Sequence, residues 1–326
     1  MPMKAMLCKA FGPPESLVFE EVASAPLKQG EVRIATRAAG LNFPDTLIIE
    51  GKYQFKPPFP FSPGGECAGV IAEVAPDVTH LEVGDRVMAT TLHGAFAEEV
   101  IAPATTTFRI PDAMTFEQAA GFGITYGTTI HALADRGKMQ PGEVLLVHGA
   151  AGGVGLNAVE LGKIMGATVI ATAGSDEKLE LARSYGADHV INYSRESIKD
   201  RVKEMTDGRG ADVIFDPVGG DAFDQSLRCI NWMGRLLVVG FASGRIPSAP
   251  ANLLLVKGCD LLGIFWGSFT MREPAANRAN FDRLFAWFEE GRIKPHVSAT
   301  YKLSETAEAM RFLLARKSTG KVILTV

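Results

Sequence analysis

The chain has 326 residues but only four cysteines, Cys8, Cys67, Cys229 and Cys259, and no two of them form a C-x-x-C pair. That removes the redox and metal pairs built on this spacing, and a reducing cytoplasm is the simplest setting. The six histidines (His80, His93, His131, His148, His189, His296) show no H-x-x-x-H or similar ligand spacing, so each reads as a surface or packed histidine. No apolar run approaches the roughly 18 residues of a membrane span; the longest, 253–256 and 261–266, are strand-sized. The opening Met1-Pro2-Met3-Lys4-Ala5-Met6 lacks the long apolar core of a signal peptide. A net charge of −4 and a pI near 5.9 argue against a polyanion-binding surface, and so against a nucleic-acid partner. There is no internal repeat and no low-complexity tract.

What the chain does have is ordinary for a soluble globular enzyme: 47% hydrophobic and 21% charged residues. At roughly 150 residues per domain, the length suggests two domains. The most informative stretch is Val144-Leu145-Leu146-Val147-His148-Gly149-Ala150-Ala151-Gly152-Gly153-Val154-Gly155. A strand-type run feeds a glycine turn, and the turn opens a helical pattern (Leu156, Val159, Leu161, Ile164, Met165). A second strand-type run, Thr168-Val169-Ile170-Ala171-Thr172, follows. This is a βαβ unit with a phosphate-binding turn at its first joint. Small residues let backbone approach a pyrophosphate, and the helix N-terminus offers free N–H groups and partial positive charge. His148 lies inside the dinucleotide strand and reads as a strand side chain.

The missing acid at the end of the second strand then selects the dinucleotide. NAD-binding folds place Asp or Glu there to accept hydrogen bonds from the ribose 2′-hydroxyl. Here the strand ends Thr172-Ala173-Gly174-Ser175, and Asp176 falls beyond it, in the first turn of a helix capped by Ser175. No acid, a small gap, a hydroxyl and a nearby Lys178 suit a 2′-phosphate, which points to NADP(H) over NAD(H).

Residues 1–120 read as a strand-rich module, with strands predicted at 3–8, 31–39, 68–74, 86–90 and 95–101, separated by Gly- and Pro-bearing turns. The pattern turns helical over 116–134. From 144 to 264 strands alternate with helices, which implies a parallel sheet; the strands fall at 144–148, 168–172, 189–192, 213–216, 235–240 and 261–265. An amphipathic segment (Phe281, Leu284, Phe285, Phe288), a strand at 296–301, a helix at 307–314 and a strand at 322–326 complete the chain.

Four markers carry a resemblance across essentially the whole length. They are Gly40-Leu41-Asn42-Phe43-Pro44-Asp45-Thr46, Pro63-Gly64-Gly65-Glu66-Cys67-Ala68-Gly69-Val70, Val83-Gly84-Asp85-Arg86-Val87 and the glycine turn at 149–155. The chain resembles the medium-chain dehydrogenase/reductase superfamily, in its zinc-free quinone oxidoreductase (zeta-crystallin-like) branch. The resemblance implies an α/β fold. A GroES-like, partly β-barrel catalytic domain (1–122 and 267–326) would carry an inserted Rossmann domain, a doubly wound parallel sheet (123–266). The cleft between them would hold nicotinamide and substrate. It also implies a homodimer formed through edge strands of the nucleotide sheet, for which 261–266 is a candidate.

Zinc alcohol dehydrogenases share that fold and take zinc ligands from a cysteine in the segment matching 41–46 and a histidine in Gly-His-Glu. Here the segment has no cysteine, Gly65 replaces the histidine, and no four-cysteine lobe follows Val87. Zinc needs clustered sulfur, nitrogen or carboxylate ligands, so no metal is expected. Alcohol oxidation by Lewis-acid activation is then disfavoured. Hydride transfer to an electron-poor acceptor remains, with the cofactor carrying the chemistry and the protein supplying orientation.

By resemblance, Asn42 and Asp45 flank the nicotinamide, and Tyr53 hydrogen-bonds the substrate carbonyl or cofactor phosphates. A second family tyrosine is replaced by Leu47, which removes a proton donor. Thr125 resembles the threonine that binds the nicotinamide amide. Ala151, Gly152, Gly153 and Val154 face the pyrophosphate. Gly174, Ser175, Lys178 and Tyr193 resemble the 2′-phosphate pocket, with Tyr193 able to stack on adenine. Arg316 matches an arginine that reaches that phosphate from the C-terminal piece, where a planar guanidinium suits it. Gly240, Phe241, Ile264, Phe265 and Trp266 lie at the ends of later strands, where ligands of such sheets bind; of Phe265 and Trp266, one is expected to pack rather than bind. The expected activity is an NADPH-dependent reduction of a quinone or another α,β-unsaturated carbonyl acceptor, a small-molecule substrate. Two alternatives stay open: a 2-enoyl-thioester (enoyl-CoA type) reductase, and a non-catalytic NADPH-binding protein of the same fold.

Overall fold

The computed structural model describes residues 2–326. The chain forms two compact units. The first ends at Ile124 and resumes at Lys294, and the second runs from Thr125 to Ile293.

The first unit is built on a seven-stranded sheet. Its strands run in the order Val297–Lys302, Lys321–Thr325, Glu31–Leu41, Glu66–Val74, Arg86–Thr90, Thr107–Arg109. The long central strand Glu31–Leu41 also takes Glu99–Pro103 on the edge where its second half takes the terminal strand. Its first residues alternate inward Val32, Ile34 and Thr36 with outward Glu31, Arg33 and Ala35, the period of a half-buried strand. Ile34, Cys67, Ile71, Val87, Phe96, Met310 and Leu324 fill the core beneath. A separate hairpin pairs Pro2–Leu7 with Val18–Ala23.

The second of those hairpin strands is absent from the sequence reading, because its residues lie at the surface and carry little apolar alternation. The strand expected at 95–101 begins only at Glu99. Phe96 instead receives a hydrogen bond from Met6 N–H at 2.9 Å and donates one to Pro63 O at 3.0 Å, so its backbone is spent on two loops.

The second unit holds six parallel strands in the order His189–Asn192, Thr168–Ala173, Val144–Val147, Ala211–Asp216, Ile230–Val238, Asp260–Gly263. Numbered within the unit this is 3-2-1-4-5-6, the doubly wound Rossmann order, whose direction reverses beside Val144–Val147. That strand is buried on every residue, as a central parallel strand covered on both faces must be. The helical region expected at 116–134 resolves into Phe116–Ala120, Gly123–Ile130 and a π-helical turn His131–Arg136. In that turn His131 Nδ1 meets Asp135 Oδ2 at 2.9 Å.

The later domain boundary differs from expectation, falling at 293/294 rather than 266/267. Helix Pro274–Glu289 is the reason. Asn277 Oδ1 accepts from Trp266 Nε1 at 3.1 Å, and Asn280 Nδ2 donates to Asp135 Oδ2 at 2.8 Å. Phe281 is wholly buried against the Trp266 ring. The apolar face of this helix therefore serves the nucleotide unit.

All three tryptophans, Trp232, Trp266 and Trp287, lie in this second unit, so tryptophan fluorescence reports its unfolding alone. Phe281→Ala should move that transition to lower urea, with a loss of roughly 3–5 kcal/mol. An unmoved transition contradicts the assignment of this helix to the second unit.

Candidate active site

In the second unit the glycine turn leaves strand Val144–Val147 and enters helix Gly153–Ile164 with Gly152 as N-cap. Gly152 has no side chain to satisfy the first helical N–H groups, so these are left to solvent or to an anion. The turn is tightly wound: a Cβ on Gly155 would stand 2.1 Å from Gly149 O, so only glycine closes it. Ala151 is buried beneath the turn, while Gly152, Gly153 and Val154 reach the surface. His148 is internal. Its Nδ1 meets Thr172 Oγ1 at 3.0 Å and its Nε2 meets Ser226 Oγ at 2.7 Å, and burial holds its pKa below the usual range.

Thr125 is buried against the same helix, its Oγ1 accepting from Asn157 Nδ2 at 2.9 Å. Tyr126 Oη donates to Glu160 Oε2 at 2.7 Å one turn further along. The sequence reading did not single out Asn157 or Glu160, because nothing local marks a polar residue inside an apolar helix pattern as a tie between helices.

At the end of the second strand, Gly174, Ser175, Lys178 and Tyr193 are brought together. Ser175 caps helix Asp176–Ser184, its Oγ accepting from Lys178 N–H at 3.4 Å. A Cβ on Gly174 would lie 3.0 Å from Tyr193 Oη, which places the exposed tyrosine beside that glycine. Asp176 is occupied elsewhere. Its Oδ1 accepts from Asn192 Nδ2 at 2.8 Å and from Arg195 at 2.5 Å, and these partners hold its carboxyl below the usual range. Arg195 is a second cation at this corner that sequence reasoning missed, although it lies just two residues after Tyr193.

Gly240, Phe241, Ile264 and Phe265 follow the carboxyl ends of the last two strands, at the same end of the sheet as the glycine turn. Phe265 is 58% exposed, whereas Trp266 is 8% exposed and tied to Asn277. Of the two, Trp266 is the one that packs inward. Arg316 belongs to the first unit, just past helix Thr306–Leu314, and is exposed in the left-handed region at φ 55°.

In the first unit Asn42, Asp45 and Tyr53 come together around helix Phe43–Ile49. Asp45 Oδ2 accepts from Asn42 N–H at 2.8 Å, closing the helix start back on itself. Tyr53, half-buried after the helix, feels the Asp45 charge. Two further residues complete the cluster. Glu66 Oε1 accepts from Asn42 Nδ2 and from Lys321 Nζ, each at 2.8 Å, and Glu66 Oε2 accepts from Ile124 N–H at 2.8 Å. Lys321 Nζ also donates to Asn42 Oδ1 at 2.7 Å and to Leu41 O at 2.9 Å. Asn42 Nδ2 reaches Gly40 O at 3.3 Å with its other hydrogen. The carboxamide has spent both donors internally, which changes the expectation that Asn42 offers them to an acceptor.

Glu66, Asp45 and Lys321 are 1%, 2% and 6% exposed. Burial pushes the Asp45 carboxyl up to about 7. The N–H groups of Asn42 and Gly64 and the Lys321 ammonium oppose that rise, and the Glu66 charge adds to it. Burial, then the Asp45 charge, raises the Tyr53 phenol above its usual range. Glu66 lies in the 63–70 motif, where no local feature marks it as a partner of Lys321. Lys321 carried no signal beyond opening an apolar strand.

Residues 28–112 match the family model of the alcohol dehydrogenase GroES-like domain, and residues 153–284 match that of zinc-binding dehydrogenases. A quinone oxidoreductase-like protein 2 homolog from Nematostella vectensis is 44% identical over 98% of this chain and 88% of its own. The Escherichia coli quinone oxidoreductase, solved in complex with NADPH, superimposes with a TM-score of 0.92 at 31% identity, covering 99% of this chain and 100% of that one. The human synaptic vesicle membrane protein VAT-1 homolog is 32% identical over 99% of this chain and 86% of its own. The chain belongs to the quinone oxidoreductases of the medium-chain dehydrogenase/reductase superfamily.

Within this family frame the zinc question rests on donors. Among the described residues no group of three His, Cys, Asp or Glu side chains is placed to hold a metal ion. Asp45 Oδ1 stands 4.0 Å from where a Cβ on Gly65 would be, so the histidine position of the zinc members is bare backbone here.

The Asp45 shift carries a sign. Folded Asp45 keeps its proton to about pH 7, while an unfolded aspartate loses it near ~3.9. Its contribution to stability is full below about pH 4 and is lost as pH rises to about 7. Asp45→Asn lacks that loss. Its Tm relative to the unsubstituted protein should rise between about pH 4.5 and 8, by the equivalent of roughly 2–4 kcal/mol. A difference that stays flat over this range rules out a raised Asp45.

Proposed function

We propose that this chain is an NADPH-dependent, metal-free reductase of quinones and related α,β-unsaturated carbonyl acceptors. The single observation that carries the reading is the uncapped, close-wound turn at Gly152–Gly153 together with the acid-free corner formed by Gly174, Ser175, Lys178 and Tyr193. An Asp176 already committed to Asn192 and Arg195 leaves the ribose 2′-position without a carboxylate acceptor. The donors fit a phosphorylated dinucleotide: N–H groups of Gly152, Gly153 and Val154 for the pyrophosphate, and Ser175 and Lys178 for the 2′-phosphate. Tyr193 flanks the adenine side, and Thr125, Gly240, Phe241, Ile264 and Phe265 serve the rest of the dinucleotide.

When bound, NADPH supplies a hydride, and the protein supplies orientation and a dry, shaped surface. The acceptor gains negative charge on its oxygen. Tyr53 Oη, with its pKa raised, is still a protonated phenol at neutral pH and donates a hydrogen bond to that oxygen. Solvent restores any proton it gives up. The Asp45 charge bears on the phenol after burial does. Asn42 supports this arrangement from inside.

Oxidation of NADPH, followed by absorbance against a panel of quinones, small enones and crotonyl-CoA, tests the reading. Turnover of quinones or enones is expected, with NADPH preferred over NADH. Lys178→Ala should raise KM for NADPH by about 10-fold or more, the worth of a charge-assisted hydrogen bond, and leave NADH unaffected. A preference for NADH, or crotonyl-CoA as the sole acceptor, contradicts it. A second reading, NADPH binding without catalysis, predicts quenching of tryptophan fluorescence by NADPH and no turnover on any acceptor.

The partner in solution is a second copy of the chain. Strand Asp260–Gly263 ends the nucleotide sheet, and Trp232, Met233, Leu255 and Val256 stand exposed near that edge. Sedimentation should give about twice the 34.9 kDa chain mass, and Leu255→Glu with Val256→Glu should return the monomer. A monomer without these changes contradicts the dimer.

A further inference from the structure

The four-way contact in the first unit is larger than a helix start requires. Glu66 accepts on both carboxylate oxygens, and every partner it has there is a donor: Asn42 Nδ2, Lys321 Nζ and Ile124 N–H. Lys321 spans Glu66, Asn42 Oδ1 and Leu41 O. The three side chains thus close a ring in which the orientation of the Asn42 carboxamide is fixed, oxygen toward the ammonium and nitrogen toward the carboxylate. The Asn42 backbone N–H is in turn the donor to Asp45 Oδ2, so the ring sets where the Asp45 carboxyl lies. The groups that bear on Asp45 are Lys321 from the terminal strand, Glu66 from the strand Glu66–Val74, Tyr53 from the segment after the helix, and the N–H groups of Asn42 and Gly64.

We infer that Glu66 and Lys321 are positioning residues: locked to Asn42, they hold Asp45 beside Tyr53 and set the charge that Asp45 presents to the phenol. This rests on the reading that Tyr53 faces the acceptor. Lys321 and Glu66 pull in opposite directions, Lys321 favouring the Asp45 carboxylate and Glu66 the neutral acid.

The test reads Asp45 directly in the full-length protein without cofactor or acceptor, by carboxyl-carbon NMR titration of aspartate-labelled protein, with Asp45→Asn giving the assignment. Lys321→Met should raise the Asp45 midpoint and Glu66→Gln should lower it, each by about one unit. If Lys321→Met does not fold, Lys321→Gln takes its place. The acid-side limb of the kcat–pH profile for naphthoquinone reduction should move with the midpoint in each variant, with KM for NADPH unchanged. Midpoints that stay put, or move the same way in both variants, overturn the inference whether or not the protein reduces quinones. A protein with no turnover on any acceptor overturns the proposed function instead, and leaves the NMR result to stand by itself.

Discussion

One buried carboxylate ties three segments of the first unit together. Glu66 receives hydrogen bonds from the turn after strand Glu31–Leu41, from the strand Lys321–Thr325, and from the backbone at Ile124 where the chain leaves for the nucleotide unit. Three stretches far apart in sequence meet on two oxygen atoms. Breaking such a pair from one side leaves a charge stranded away from water, which is the costly case; replacing both sides by apolar groups is not. The contact stands beside the backbone ladder that joins the C-terminal strand to the N-terminal sheet, and it fixes the orientation of Asn42.

The two units use opposite devices to build their functional surfaces. The nucleotide unit withholds side chains: Gly152 leaves helical N–H groups uncapped, and Gly155 lets the turn close on Gly149 O. Its acid is diverted, since Asp176 is held by Asn192 and Arg195. The first unit concentrates polar groups instead, with Asp45, Glu66, Lys321 and Asn42 all interior, and lets burial keep one carboxyl near neutrality. The second unit thus leaves backbone N–H groups open at a helix start, and the first unit buries a titratable cluster.

The parts legible in the sequence are those whose cause is local. The strand, glycine turn and helix at 144–164 are contiguous, and the Ser175 cap follows from a hydroxyl placed just before an acidic first turn. The six-strand parallel sheet follows from alternation of strand and helix patterns. Illegible parts depend on distant partners. Lys321 falls just before the strand expected at 322–326, and its contact with Glu66 spans 255 residues. Trp266 and Phe265 are neighbours with the same apolar character, and only the packing of helix Pro274–Glu289 decides that one is interior and the other exposed. The same helix moved the domain boundary, because an amphipathic face does not say which core it joins. The strand at 95–101 began late because Phe96 gives its backbone to two loops, a choice no alternation pattern records.

The claim on which the account turns is that Glu66 and Lys321 act as one unit. A double-mutant cycle on stability, using Lys321→Met, Glu66→Leu and the pair together in chemical denaturation, tests it most directly. Each single change should cost about 3–5 kcal/mol and the double far less than their sum, giving a coupling of roughly 2–3 kcal/mol or more. Additive losses would contradict it, and with it the idea that this buried pair orders the site.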